Sequence, residues 1–77
     1  MDEIDKIFES IGYTIKKTNN GYTRYKKEEY YGEEISFELA HQRVRKVTRG
    51  SGNPCPVYIT ADEIKAIEQF YREKGWL

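Results

Sequence analysis

Residues 13–27 read Tyr-Thr-Ile-Lys-Lys-Thr-Asn-Asn-Gly-Tyr-Thr-Arg-Tyr-Lys-Lys, and they decide the fold class. Two runs rich in β-branched and aromatic residues flank Asn19-Asn20-Gly21, the chemistry of a β-hairpin turn. Turn type then sets which residues face one another. A two-residue Asn20-Gly21 turn brings Ile15 opposite Lys26, whereas a three-residue loop with Gly21 as the left-handed bulge residue brings Ile15 opposite Tyr25. The second arrangement gathers Tyr13, Ile15, Thr23 and Tyr25 on one inner face, and it is the expected one. The outer face then carries Lys16, Thr18, Tyr22, Arg24 and Lys26.

Working outward, Glu28 to Gly32 connect the hairpin to a third strand over residues 33–40. There Ile35, Phe37 and Leu39 alternate inward and Ser36 and Glu38 outward. His41-Gln42 reads as a tight turn into a fourth strand over 43–49. Val44 and Val47 differ in parity, so both face inward only through a bulge, and the facing of this strand stays open. Gly50 to Pro56 form an irregular loop by composition, and Val57-Tyr58-Ile59 a short extended piece.

Both ends of the chain read as helices. Over 2–11, Ile4, Ile7, Phe8 and Ile11 make one apolar stripe, with Asp2 to cap the first turn, Gly12 at C′, and Tyr13 placed for an apolar contact. Thr60-Ala61-Asp62-Glu63 is a capping box that opens the last helix. Its buried stripe is expected to be Ile64, Ile67 and Tyr71, flanked by Ala66 and Phe70. Gly75 ends it at C′, and Trp76 at C″ is placed to pack on Tyr71. The whole chain, 1–77, is thus expected to be a single α+β domain. A helix, a four-stranded antiparallel sheet and a second helix follow in order, with both helices packed on one sheet face.

Composition narrows the function classes. Thirteen basic and thirteen acidic residues cancel, so no whole-molecule field favours DNA or a membrane surface. The single Cys55 excludes an intrachain disulfide. Met1-Asp2-Glu3 is acidic where a secretion signal is basic, and no apolar run approaches a membrane span, so a cytoplasmic protein is expected.

The zero balance hides an uneven distribution. Residues 13–31 hold five bases against two acids, and residues 43–50 hold Arg43, Arg45, Lys46 and Arg49 with no acid. The acids concentrate in the first helix and in Glu33, Glu34 and Glu38 of the third strand. Two readings follow. In one, Lys16, Tyr22, Arg24, Lys26, Arg43, Arg45, Lys46 and Arg49 form a basic, tyrosine-containing binding surface. In the other, acidic strand three simply pairs with its basic neighbours across the sheet.

Catalytic and metal chemistry find little footing. His41 and Cys55 are the only candidate base–nucleophile pair, and nothing in the sequence brings them together. One His and one Cys cannot complete a structural zinc site. The pairs Glu28-Glu29 and Glu33-Glu34 are adjacent, so on a strand they point to opposite faces, while Asp62 and Glu63 are accounted for by the helix cap and dipole. Gly50-Ser51-Gly52 lacks the Lys-Ser/Thr ending of a phosphate loop. No enzyme, cofactor or metal is expected.

The segments Tyr58-Ile59-Thr60, Glu63-Ile64, Ala66-Ile67 and Gly75-Trp76-Leu77 resemble the C-termini of short phage and prophage proteins of Gram-positive bacteria. The acidic amphipathic helix followed by Gly12-Tyr13 is similar to their N-termini. The resemblance implies a phage setting and no site residues. The expectation is therefore a small accessory protein that binds a host or phage protein, with nucleic acid as the alternative partner. It would be a monomer or a weak homodimer through a sheet edge, with no membrane partner.

Overall fold

The computed structural model describes residues 3–28, 32–48 and 57–77. Helix α1 (Glu3–Ser10) opens the chain and buries Ile4 and Phe8. It ends in a Schellman motif. The Gly12 amide donates to the Glu9 carbonyl and the Tyr13 amide to the Phe8 carbonyl, at 3.1 and 2.9 Å. Gly12 takes φ +98°, and Tyr13 meets the Phe8 ring edge-on at 6.0 Å. Asp2, the expected cap, lies outside the described residues.

Strands β1 (Ile15–Asn19), β2 (Tyr22–Lys26), β3 (Glu33–Glu38) and β4 (Arg43–Thr48) form one antiparallel sheet in the order β1-β2-β3-β4. The first hairpin corrects the expected register. Ile15 pairs with Lys26 and Lys16 with Tyr25, so Asn20-Gly21 is a two-residue turn. Both turn residues have positive φ, +50° and +79°, as a type I′ turn requires, and its twist matches that of the strands. Lys16 and Thr18 therefore share a face with Thr23 and Tyr25, while Ile15 and Lys17 share the other with Arg24 and Lys26.

The second hairpin is also adjusted. Glu38 pairs with Arg43, so the connection is the four residues Leu39–Gln42 rather than His41-Gln42 alone. Parity is preserved, and Phe37 still faces the core opposite Val44. No bulge reconciles the two valines. Val44 packs against the core from the helix side, and Val47, opposite Glu34, lies on the other face.

Helix α2 (Ala61–Glu73) begins with the expected capping box: the Glu63 amide donates to Thr60 Oγ1 at 3.1 Å and the Thr60 amide to Glu63 Oε1 at 3.0 Å. It ends with a second Schellman motif, in which Gly75 (φ +75°) and Trp76 repeat the roles of Gly12 and Tyr13. Trp76 packs on Tyr71 at 5.1 Å between ring centres. The buried stripe is rotated from the expected one. Glu63, Ala66 and Phe70 are buried, whereas Ile64 is 56% exposed.

Both helices lie on one face of the sheet. Phe8 stacks on Tyr25 (4.0 Å, 8°) and Phe70 stacks on Phe37 (3.7 Å, 14°), so each helix plants one ring on the sheet. Edge contacts between Phe8 and Phe37 and between Tyr25 and Phe70 tie the two stacks together. The opposite face is left without a covering element among the described residues. No helix among those residues is long and apolar enough to cross a membrane.

Candidate binding face of the sheet

The register sorts the expected binding residues between two faces. Tyr22, Arg24, Lys26, Arg43 and Arg45 stand on the open face, where Lys17 joins them. Lys16 and Lys46 stand on the helix face. Arg49 lies outside the described residues, as do Cys55 and the glycine loop 50–52.

The two helix-face lysines are engaged in the fold. Lys16 Nζ sits 2.9 Å from Asp5 Oδ1, and the Tyr25 hydroxyl donates to the same oxygen at 2.8 Å. Lys46 is the more deeply held, with its side chain 3% exposed. Its ammonium meets Glu63 Oε1 at 2.8 Å and Glu33 Oε1 at 3.0 Å, and donates to the Tyr58 carbonyl. Glu63 accepts in addition from the Tyr13 hydroxyl at 2.7 Å. Lys27 closes the chain on Glu33 at 2.8 Å. Burial pushes the Glu63 carboxyl up, but hydrogen bonds from Lys46, the Thr60 amide and Tyr13 outweigh it and hold it below the usual glutamate range. Burial likewise works against the Lys46 charge, and its two carboxylates still leave its pKa raised. Glu63 is thus a cap residue and a buried ionic hub at once. Its local partner Thr60 is legible in sequence, whereas Tyr13 and Lys46 reach it from distant segments.

On the open face the organising residue is Glu38. It accepts from Arg43 Nε at 2.6 Å and from the Tyr22 hydroxyl at 2.7 Å, and His41 Nδ1 lies 2.6 Å from it. Hydrogen bonds from Arg43 and then Tyr22 push its pKa down to about 2, so it is a carboxylate at any physiological pH. Cross-strand pairing is therefore realised here at one carboxylate. The same Glu38 hydrogen bond raises the pKa of Tyr22. The Tyr22 ring carries the Arg24 guanidinium at 4.6 Å, and Arg24 is held in turn by Asn19 Oδ1 at 2.8 Å.

The same face carries further cations beside the buried Glu34. Among the described residues Arg24, Lys17, Lys26 and Arg45 form no ion pair. Arg24 and Arg45 flank Ser36, which is 1% exposed, and Ser36 donates to the buried Glu34 at 3.0 Å. A depression of about 300 Å³ is lined by Tyr22, Ser36, Glu38, Arg43, Val44 and Arg45. No group of three His, Cys, Asp or Glu among the described residues is placed to hold a metal ion.

No protein family, curated protein or solved structure matches this chain.

Proposed function

We propose that the protein is a non-enzymatic accessory protein, phage-encoded, that acts by binding a host or phage protein through the open face of its sheet. The observation that carries this reading is the contrast between the two faces. On the helix face Lys16 and Lys46 are neutralised by carboxylates of the fold. On the open face two carboxylates are present, Glu38, already held by Arg43 and Tyr22, and the buried Glu34, bonded by Ser36, and Lys17, Arg24, Lys26 and Arg45 form no ion pair with either among the described residues. Arginine and tyrosine are the residues that protein interfaces favour, and a cationic face selects an acidic partner surface.

The same cations favour a second reading, contact with nucleic-acid phosphates. Tyr22 weighs against it as a stacking platform. One side of its ring is covered by Arg24 and its hydroxyl is held by Glu38, so a base would have to displace a formed contact.

The test combines two measurements on the wild type and on Arg24→Glu/Arg45→Glu. A protein partner captured by cross-linking is expected to be lost from the variant and kept by an α1 surface control. Anisotropy with labelled DNA and RNA is expected to show no salt-dependent binding. Salt-sensitive nucleic-acid binding that the variant abolishes would replace the first reading with the second.

A further inference from the structure

Helix α2 carries more apolar surface than the four strands cover. Its flank away from α1 presents Ile64, Ile67 and Tyr71, since α1 meets the opposite flank around Gln69 and Glu73. That flank lies on the β4 side, where Glu63 reaches Lys46 and the Tyr71 hydroxyl reaches the Gln42 carbonyl. Ile67 and Tyr71 are half-buried, but Ile64 is 56% exposed, and Val57, Tyr58 and Ile59 just before the helix are 47%, 74% and 49% exposed. Helix α1 contributes no exposed large apolar residue. Below this overhang runs β4, an edge strand bonded to β3 on one side, with no backbone hydrogen bond to its outer side among the described residues.

We infer that the β4 edge, with the overhanging flank of α2, takes an extended segment of the partner protein as a fifth strand, in which acidic residues alternate with apolar ones. This rests on the reading of the open face as the contact surface, and it supplies the partner's chemistry. A strand added to a sheet lies about 4.8 Å beyond the edge and turns successive side chains to opposite faces. Those on the open face come beside Arg45, which pairs with no carboxylate among the described residues and so selects one, and beside Arg43, whose guanidinium is already held by Glu38. Those on the helix face come under Ile64 and Ile67, which select apolar groups. A second copy of this chain fits poorly. A β4–β4 pair sets Arg43, Arg45 and Lys46 against their own copies, and a β4–β1 pair sets them against Lys16 and Lys17.

Titration of the full chain with a short synthetic peptide alternating valine and glutamate, followed by amide and methyl NMR, tests this directly. The expected result is slowed hydrogen exchange at alternate β4 amides with shifts at Ile64 and Ile67, and no such effect from a valine–lysine peptide. Arg45→Glu and Ile64→Asp, both at exposed positions, are each expected to weaken binding about tenfold, the scale of one lost cross-strand interaction turned to repulsion. Shifts confined to Tyr22 and Arg24, with β4 exchange unchanged, would overturn the fifth strand and leave the open-face reading standing. Equal binding of the two peptides would overturn the charge selection. A dimer in sedimentation with β4 protected before any peptide is added would make a second copy the occupant and overturn the inference.

Discussion

Lys46 Nζ lies 2.8 Å from Glu63 Oε1, with the two side chains 3% and 4% exposed. The pair joins β4 to the first turn of α2, and Tyr13 and Glu33 extend it to the segment after α1 and to β3. Removing one partner strands the other charge in a dry site. Lys46→Met is expected to destabilise the fold by about 3 kcal/mol, a large part of the stability of so small a domain. Lys46→Met/Glu63→Gln is expected to recover about 1 kcal/mol or more, since the introduced carboxamide oxygen still accepts from the Thr60 amide and leaves no buried charge. Urea unfolding of the three proteins checks this, and a single variant no less stable than wild type would remove Lys46 from the core energetics.

The carboxyl shifts set a pH profile. Asp5, Glu33, Glu38 and Glu63 all have folded-state pKa values below their usual 3.8 or 4.5. Groups of this sign stabilise fully above the unfolded value and lose that contribution as pH falls through the folded one. Stability is therefore expected to hold from neutrality to about 4.5 and then to fall, with the Glu38 contribution lost only near pH 2. Lys46 has the opposite sign. Its contribution is complete below 10.5 and is lost as pH rises through its raised folded value. Urea midpoints across the acid range test this, and a Glu63→Gln protein is expected to show a shallower acid limb. A profile still flat well below 4.5 would contradict it.

What the sequence makes legible is local. The capping box needs only Thr60 and Glu63, and the two Schellman motifs only Gly12-Tyr13 and Gly75-Trp76, so short-range chemistry suffices. What it hides is long-range. Glu63 reads as a cap alone because Tyr13 and Lys46 approach it only in the fold, where α2 is seated with Glu63 inward and Ile64 facing solvent. The expected hairpin register fails because an inward Ile15 looks better on paper than an inward Lys16. Yet Lys16 keeps its ammonium on Asp5 and lies 5.7 Å over the Tyr25 ring, so a long cation serves at the rim of the apolar face. On the open face the basic residues stand out in the sequence, but Glu38 as the residue that Arg43, Tyr22 and His41 share does not, because these come to it from the start of β4, from β2 and from the β3–β4 loop.

The two helix stops make a matched pair for a backbone test. Gly75 has φ +75° with nothing within 4 Å of where a Cβ would stand, so Gly75→Ala isolates the conformational penalty, about 1 kcal/mol. Gly12 has φ +98° and a Cβ there meets Lys27 Cε at 3.4 Å, the flexible end of a side chain that can move. Gly12→Ala is expected to cost about the same, with a small addition. Thermal melts followed by the fluorescence of Trp76, which packs on Phe70 and Tyr71, report both. A neutral Gly75→Ala would show that the αL stop is not needed to dock the tryptophan.

Arg45 and Lys46 are neighbours in β4 with opposite expected phenotypes. Strand alternation turns Arg45 to the open face, where it pairs with no carboxylate among the described residues, and turns Lys46 into the ionic hub. Arg45→Glu is expected to leave stability within about 0.5 kcal/mol of wild type, as for an exposed site without a partner. Partner capture should be lost. Lys46→Glu is expected to unfold much of the protein, since it sets a third carboxylate against Glu33 and Glu63. Urea midpoints and cross-linking yields measured side by side separate the two roles. If Arg45→Glu lost stability and kept its partner, the open face would be scaffold, and the cations on it would be serving the sheet.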